Sequence, residues 1–153
     1  MSFNMFGCVI NAYNKIIFLD YDGVFAIANP GLCDVPERDK YGTTFNYYCV
    51  DCLRQIIDET SANNYLSLRK IKKMWRYRKL PGTVVDTIRN DSMDRSTEID
   101  NWLNKYCFNN YVIIDDMDFR QFDKHHHRHL VTTSTLTGLI ESDVERVCLA
   151  MKI

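Results

Sequence analysis

Lys15-Ile16-Ile17-Phe18-Leu19-Asp20-Tyr21-Asp22-Gly23-Val24-Phe25 decides how the rest of the chain is read. Four apolar residues run into two carboxylates set one residue apart, and a glycine follows. A short apolar run bounded by a turn signal predicts a central strand of a covered sheet, about Lys15 to Leu19. Asp20 and Asp22 then stand where the strand stops, at the crevice where open α/β sheets bind ligands. Carboxylates held that close repel each other unless a cation or a proton intervenes. A divalent metal with oxygen ligands, Mg²⁺ above all, answers that need. Gly23 lets the chain turn and leaves room for a substrate. The alternative is a strand ending in a solvated Asp-Gly turn.

A second stretch, Tyr111-Val112-Ile113-Ile114-Asp115-Asp116, repeats the pattern of an apolar run ending in a carboxylate pair. In a parallel sheet all carboxyl ends share one edge, so neighbouring strands would bring Asp20, Asp22, Asp115 and Asp116 together. Such a cluster suits Mg²⁺, and metal plus a carboxylate nucleophile suits phosphoryl transfer.

Between and beyond these strands the periodicity alternates. Residues 1–14 read as a lead-in, and 25–44, punctuated by Asn29-Pro30-Gly31, Val35-Pro36 and Tyr41-Gly42, as a loop without a helix that can act as a lid. Val50, Leu53, Ile56 and Ile57 predict a helix over about 46–60. Tyr65 to Ser67 suggests a very short strand, and 68–79 a basic helix with Leu68, Ile71 and Trp75 turned inward. Thr83 to Val85 is a further short strand, followed by a polar loop from Asp86 to Asp94. Ser96 can cap a helix through Ile99, Trp102 and Leu103, which Asp94 and Glu98 favour electrostatically. Residues 117–128 read as irregular loop, His129 to Thr133 as a last strand and 141–151 as a final helix. Strands separated by helices predict one α/β domain over 1–153, a Rossmann-like three-layer sandwich with a mostly parallel central sheet.

Composition sets bounds. The chain has 153 residues, enough for a sizeable core, and its net charge of −1 gives no global attraction to nucleic acid or membrane. Met1 to Asn14 lacks a basic n-region and a long apolar core, so it does not read as a signal peptide, and no run is long enough to span a membrane. The six cysteines then read as reduced thiols of a cytoplasmic or nuclear protein. Cys49 and Cys52 form a C-x-x-C without a second pair for zinc, inside a helical pattern that favours core packing. Residues 69–79 carry seven cations in eleven positions (Arg69, Lys70, Lys72, Lys73, Arg76, Arg78 and Lys79) with Trp75 and Tyr77 among them. Such a stretch can hold a phosphate backbone and stack bases, or form a solvated helix face. His125, His126, His127 and His129 can ligate a transition metal or simply lie exposed in a loop, and Asp118 can add a ligand or cap that loop.

Phe18-Leu19-Asp20-Tyr21-Asp22-Gly23-Val24 resembles the first motif of the haloacid dehalogenase (HAD) superfamily, and Ile113-Ile114-Asp115-Asp116 its fourth. With Arg95 to Leu103 before the fourth motif, and His129-Leu130-Val131, Thr137-Gly138-Leu139 and Asp143 to Arg146 after it, the ordered set is similar to a small, nearly capless HAD group. That group includes the HAD domain of multidomain RNA-repair proteins. The resemblance implies a Mg²⁺-dependent phosphohydrolase working through an aspartyl-phosphate, on nucleic-acid terminal phosphates or nucleotides. It implies that Asp20 is the nucleophile and that Asp22 protonates the leaving oxygen and then activates water. Asp20, the Asp22 carbonyl, and Asp115 or Asp116 would hold Mg²⁺. Ser67 would supply the second motif's hydroxyl, and Arg95, with Arg89 as competitor, the cation facing the phosphoryl group. Gly23, Lys72 and Arg76 complete the expected substrate contacts. Relatives have a run of serines and then Trp-Arg in the second motif; Ser67-Leu68-Arg69-Lys70 keeps only the first serine. The other function compatible with that departure is a non-catalytic HAD-like module that binds a phosphorylated partner or RNA.

Overall fold

The computed structural model describes residues 9–20, 22–25, 37–66, 71–87 and 93–152. Its elements are β1 (Val9–Leu19), β2 (Arg38–Asp39), β3 (Gly42–Thr43), α1 (Tyr47–Thr60), β4 (Asn63–Leu66), α2 (Ile71–Tyr77), β5 (Val84–Thr87), α3 (Arg95–Lys105), β6 (Tyr106–Asp115), β7 (Leu130–Thr132) and α4 (Glu141–Ala150). Five strands form one sheet in the order β5-β4-β1-β6-β7, and every neighbouring pair is parallel. The fold is therefore the α/β Rossmann-like sandwich that the alternating pattern predicts.

Ile16, Ile17, Phe18 and Leu19 of β1 are all buried, as are Val112, Ile113 and Ile114 of β6 beside them. Strand alternation divides these residues between two cores. Ile17, Leu19, Val112 and Ile114 join the residues of α1, α2 and α4 in one. Ile16, Phe18, Tyr111 and Ile113 join Ile99 and Trp102 of α3 and Phe122 in the other. Phe18 meets the edges of Trp102 and Tyr111 at 5.5 and 5.9 Å between ring centroids. Right-handed crossovers require this layering, because the chain moves outward from β1 to β5 over one face and returns to β6 over the other.

Several boundaries differ from the expectations above. β1 begins at Val9, so the lead-in contributes to the sheet. β4 starts at Asn63, and the pair Asn63-Asn64 lies opposite Ile16 and Ile17 instead of breaking the chain. β5 runs on to Thr87, into the expected polar loop. β6 starts at Tyr106, directly after α3. The segment 117–128 is not irregular; it holds two 3-10 turns, Phe119–Gln121 and Lys124–His129. Asp118 caps the first of them by accepting from the Arg120 N–H at 2.8 Å. Asp94, not Ser96, caps α3: its carboxylate accepts from the Thr97 N–H and hydroxyl at 3.0 and 2.8 Å. Ser96 is buried within the first turn and accepts from the Asp123 N–H at 2.9 Å. Cys49 and Cys52 are free thiols buried in α1, as core packing requires.

Residues 37–44 carry the antiparallel hairpin β2–β3 where the sequence predicts plain loop. Arg78, just past α2, grips it with two hydrogen bonds to Asp39, Nε to Oδ2 at 2.8 Å and Nη2 to Oδ1 at 2.9 Å. The Arg78 guanidinium also lies over the Phe45 ring at 4.9 Å. These bonds hold the Asp39 carboxyl down at about 2. A depressed carboxyl adds stability above its unfolded value, and that stability is lost as pH falls toward the folded value. Thermal melts should therefore show wild type above Asp39→Asn at pH 6, with the gap closing between about pH 4 and pH 2. A pH-independent gap would contradict this tie.

The same geometry thins the expected basic surface. Arg78 is committed to Asp39, and the Lys72 ammonium donates to the Val85 carbonyl at 3.1 Å. Trp75 is buried, donating from its indole N–H to the Pro81 carbonyl at 3.0 Å, so it is not a base-stacking platform. Tyr77 meets Tyr41, with Lys40 over its ring at 4.4 Å. Lys73, Arg76 and Lys79 remain exposed, while Arg69 and Lys70 lie outside the described residues.

Candidate active site

The chain leaves β1 toward β4 and leaves β6 toward β7, so the connections part above the carboxyl ends of β1 and β6. That parting opens the crevice in which α/β sheets hold ligands. The ladder continues past the strand ends: the Asp20 N–H donates to the Ile114 carbonyl at 3.0 Å, and the Thr133 N–H to the Asp115 carbonyl at 2.9 Å. Asp20, Asp115 and Thr133 thus stand in step on three adjacent strands.

Asp20, Asp115 and Asp116 converge, each offering a carboxylate oxygen within 4.8 Å of the others. Asp115 is 1 % exposed, and its Oδ1 accepts from the Met117 N–H at 3.0 Å. Arg95, in the first turn of α3, places its Nε 3.4 Å from Asp115 Oδ2 and its Nη1 3.8 Å from Glu98. That Nε is buried and makes no hydrogen bond. The ion pair is therefore loose, and the guanidinium has donor capacity left for an incoming anion.

Burial first, and then the Asp115 charge, push the Asp20 carboxyl up to about 7 against the pull of Arg95, with Asp116 and Asp22 adding to the rise. Burial also raises Asp115, opposed by Arg95 and the Met117 N–H. One guanidinium thus leaves the cluster's negative charge uncompensated. An octahedral Mg²⁺ with bonds of about 2.1 Å holds its oxygens roughly 3–4 Å apart, a spacing within the envelope of the three aspartates. An all-oxygen, acidic, crowded donor set fits Mg²⁺.

Gly23 shapes the same crevice. Its φ is +73°, and a Cβ there would overlap the Asp116 carboxylate. Its carbonyl accepts from the Thr133 hydroxyl at 3.0 Å, and the Val24 carbonyl accepts from the Leu139 N–H at 2.9 Å. Gly23→Ala should lower stability by about 1–2 kcal/mol from backbone conformation alone. It should also displace Asp116 and weaken Mg²⁺ binding, read by melting and by Mg²⁺ titration. Unchanged Mg²⁺ affinity would contradict the close approach.

Of the residues singled out in the sequence, the structure brings Asp20, Asp115, Asp116, Arg95 and Gly23 together. Asp22 is exposed, two residues beyond Asp20. Lys72 and Arg76 turn toward β5, where they line a groove with Gly82 and Val84 at the strand's amino end. Ser67 and Arg89 lie outside the described residues. Sequence reasoning missed Thr133 and the part Glu98 takes in holding Arg95. Thr133 ends a predicted strand at the same sheet edge as the aspartates, which was the available signal. The hydrogen bond from its hydroxyl to Gly23 spans 110 positions and leaves no trace in spacing.

A family model described as "HAD domain in Swiss Army Knife RNA repair proteins" matches residues 16–144, from Ile16 of β1 into α4. No curated protein and no solved structure matches the chain.

Proposed function

The chain belongs to the HAD-domain family of Swiss Army Knife RNA repair proteins, and from that premise we propose that it is a Mg²⁺-dependent phosphohydrolase working through an aspartyl-phosphate. The family points to phosphohydrolase-type chemistry. The supporting observation is the convergence of Asp20, Asp115 and Asp116 beside a buried Arg95 whose Nε makes no hydrogen bond.

Asp20 attacks phosphorus through a carboxylate oxygen, the bond to the leaving oxygen breaks, and Asp22 gives that oxygen its proton. Asp22 then takes a proton from water, which attacks the phosphorus of the acyl phosphate. Inorganic phosphate leaves and Asp20 returns as carboxylate. Arg95 orients the phosphoryl oxygens from the α3 side, and the second motif's hydroxyl is assigned to Ser67 by the sequence resemblance alone. Asp20, Asp115 and Asp116 would hold Mg²⁺, which supplies charge neutralisation at the phosphoryl group when bound.

The substrate class we favour is a terminal phosphate of nucleic acid or a nucleotide. The RNA-repair description of the family supports it. Exposed Lys73 and Arg76 would add strand contacts. The test is phosphate release from an aryl phosphate and from 3′-phosphorylated oligoribonucleotides. Release that requires Mg²⁺ and is lost in Asp115→Asn is expected. No release from either substrate would instead favour a phosphate- or RNA-binding module. Gel-shift binding that survives Asp20→Asn and is lost in Lys73→Ala/Arg76→Ala would carry the nucleic-acid reading.

A further inference from the structure

Away from the aspartate cluster, the four histidines of the segment before β7 divide sharply. His127 Nε2 lies 2.9 Å from the Phe122 carbonyl. His129 Nδ1 lies 2.9 Å from the Tyr111 carbonyl, and its Nε2 accepts from Arg128 at 3.0 Å. His129 is engaged through both ring nitrogens and His127 through its Nε2. His125 and His126 instead turn their Nε2 atoms toward one carboxylate oxygen, Asp100 Oδ1, at 2.9 and 3.1 Å. The sequence reading of these histidines as exposed is therefore corrected for His126 and His129, which are buried.

We propose that Asp100, His125 and His126 bind a first-row transition-metal ion of the zinc type, which staples α3 to the segment between β6 and β7. The decisive group is His126. Its side chain is 0 % exposed, and its Nε2, with the Asp100 carboxylate 3.1 Å away and the Ser96 backbone beside the ring, makes no well-aligned hydrogen bond. Its other nitrogen, Nδ1, lies 2.9 Å from the Tyr111 hydroxyl. Metal-bound histidines carry such a partner on the second nitrogen, which fixes the tautomer and turns the Nε2 lone pair to the ion. Donors around a tetrahedral zinc with bonds of about 2.0–2.1 Å lie about 3.3 Å apart, close to the separations seen here. Two imidazoles and one carboxylate also form a softer donor set than the three aspartates, so the two sites favour different ions. His125 is 54 % exposed and Asp100 34 %, which gives the ion access and leaves a position for water.

The consequence is mechanical. Asp100 lies five residues after Arg95 on α3, about 7.5 Å along the helix. The segment that carries His125 and His126 already docks on α3 through the Asp123 N–H to Ser96 bond. A metal here fixes the helix that presents Arg95 to the phosphoryl site.

The test uses metal-stripped full-length protein in excess Mg²⁺, titrated with Zn²⁺ and, for its visible spectrum, Co²⁺. Wild type should bind one equivalent more than His125→Ala or Asp100→Asn, with four-coordinate Co²⁺ bands and a Zn²⁺-dependent rise in melting temperature that both variants lack. Both substituted side chains are partly exposed, and their metal-free melting should match wild type, so misfolding cannot mimic the loss. Tyr111→Phe should keep the stoichiometry and weaken binding by about 10–100-fold. No extra equivalent in wild type, or equal binding by all three proteins, would overturn the proposal and leave a His–Asp ion pair only.

Discussion

On the proposed mechanism, Asp20→Asn is expected to lower phosphate release by at least about 10⁴-fold while leaving the chain folded, because removal of a covalent nucleophile costs about that much in enzymes that depend on one. The physical basis is the position of Asp20. It stands at the end of the buried run Ile16 to Leu19, partly covered, with Asp115, Asp116 and Arg95 all acting on its carboxyl. An amide cannot form the acyl phosphate, whereas its shape and most of its packing are those of the acid. Burial and neighbouring carboxylates disfavour the charged form of Asp20, so the variant should melt no lower than wild type in the absence of Mg²⁺. Lost turnover with retained melting is the expected pair of results. Turnover near the wild-type rate in the folded variant would remove Asp20 from the chemistry.

Arg95→Met should be the most destabilising change at the site. Arg95 is 11 % exposed and Asp115 1 %, so the substitution strands a buried carboxylate beside two others. Breaking a buried pair costs about 3–5 kcal/mol, and the loose 3.4 Å contact places this case near the lower end. For a chain of this size that is a fall of roughly 6–12 °C in melting temperature. Mg²⁺ should return part of the loss, because a divalent cation supplies the charge that the guanidinium no longer does. The melting temperature should therefore rise more with Mg²⁺ in Arg95→Met than in wild type. Equal Mg²⁺-induced shifts would show that Arg95 does not share the aspartates' charge balance.

The centre of the fold was legible because its signal is local and strong. Ile16 to Leu19 and Tyr111 to Ile114 are uninterrupted apolar runs, short and ended by carboxylates, as in strands covered on both faces. Two runs ending in carboxylates, on strands that a parallel sheet lays side by side, then fixed where Asp20 and Asp115 meet. What escaped was carried by longer-range terms. Strands β2 and β3 are two residues each, too short for alternation to show. The Asp39–Arg78 pair that secures them joins residues 39 positions apart. Ser96 and Asp94 both suit a helix cap by composition, and only the buried contact of Ser96 with Asp123 decides between them. The histidine run looked solvated because adjacent polar residues usually are; the 3-10 winding of Lys124–His129 turns every third residue, His126 and His129, into the core under Tyr111.

The nucleophile assignment is tested most directly by trapping. During turnover of a phosphorylated substrate with Mg²⁺, an acid quench followed by borohydride converts an aspartyl-phosphate to homoserine, which peptide mass spectrometry locates. The mechanism predicts homoserine at position 20, absent without substrate and absent in Asp20→Asn. Turnover that leaves position 20 unmodified, or modification at any other carboxylate, would contradict it.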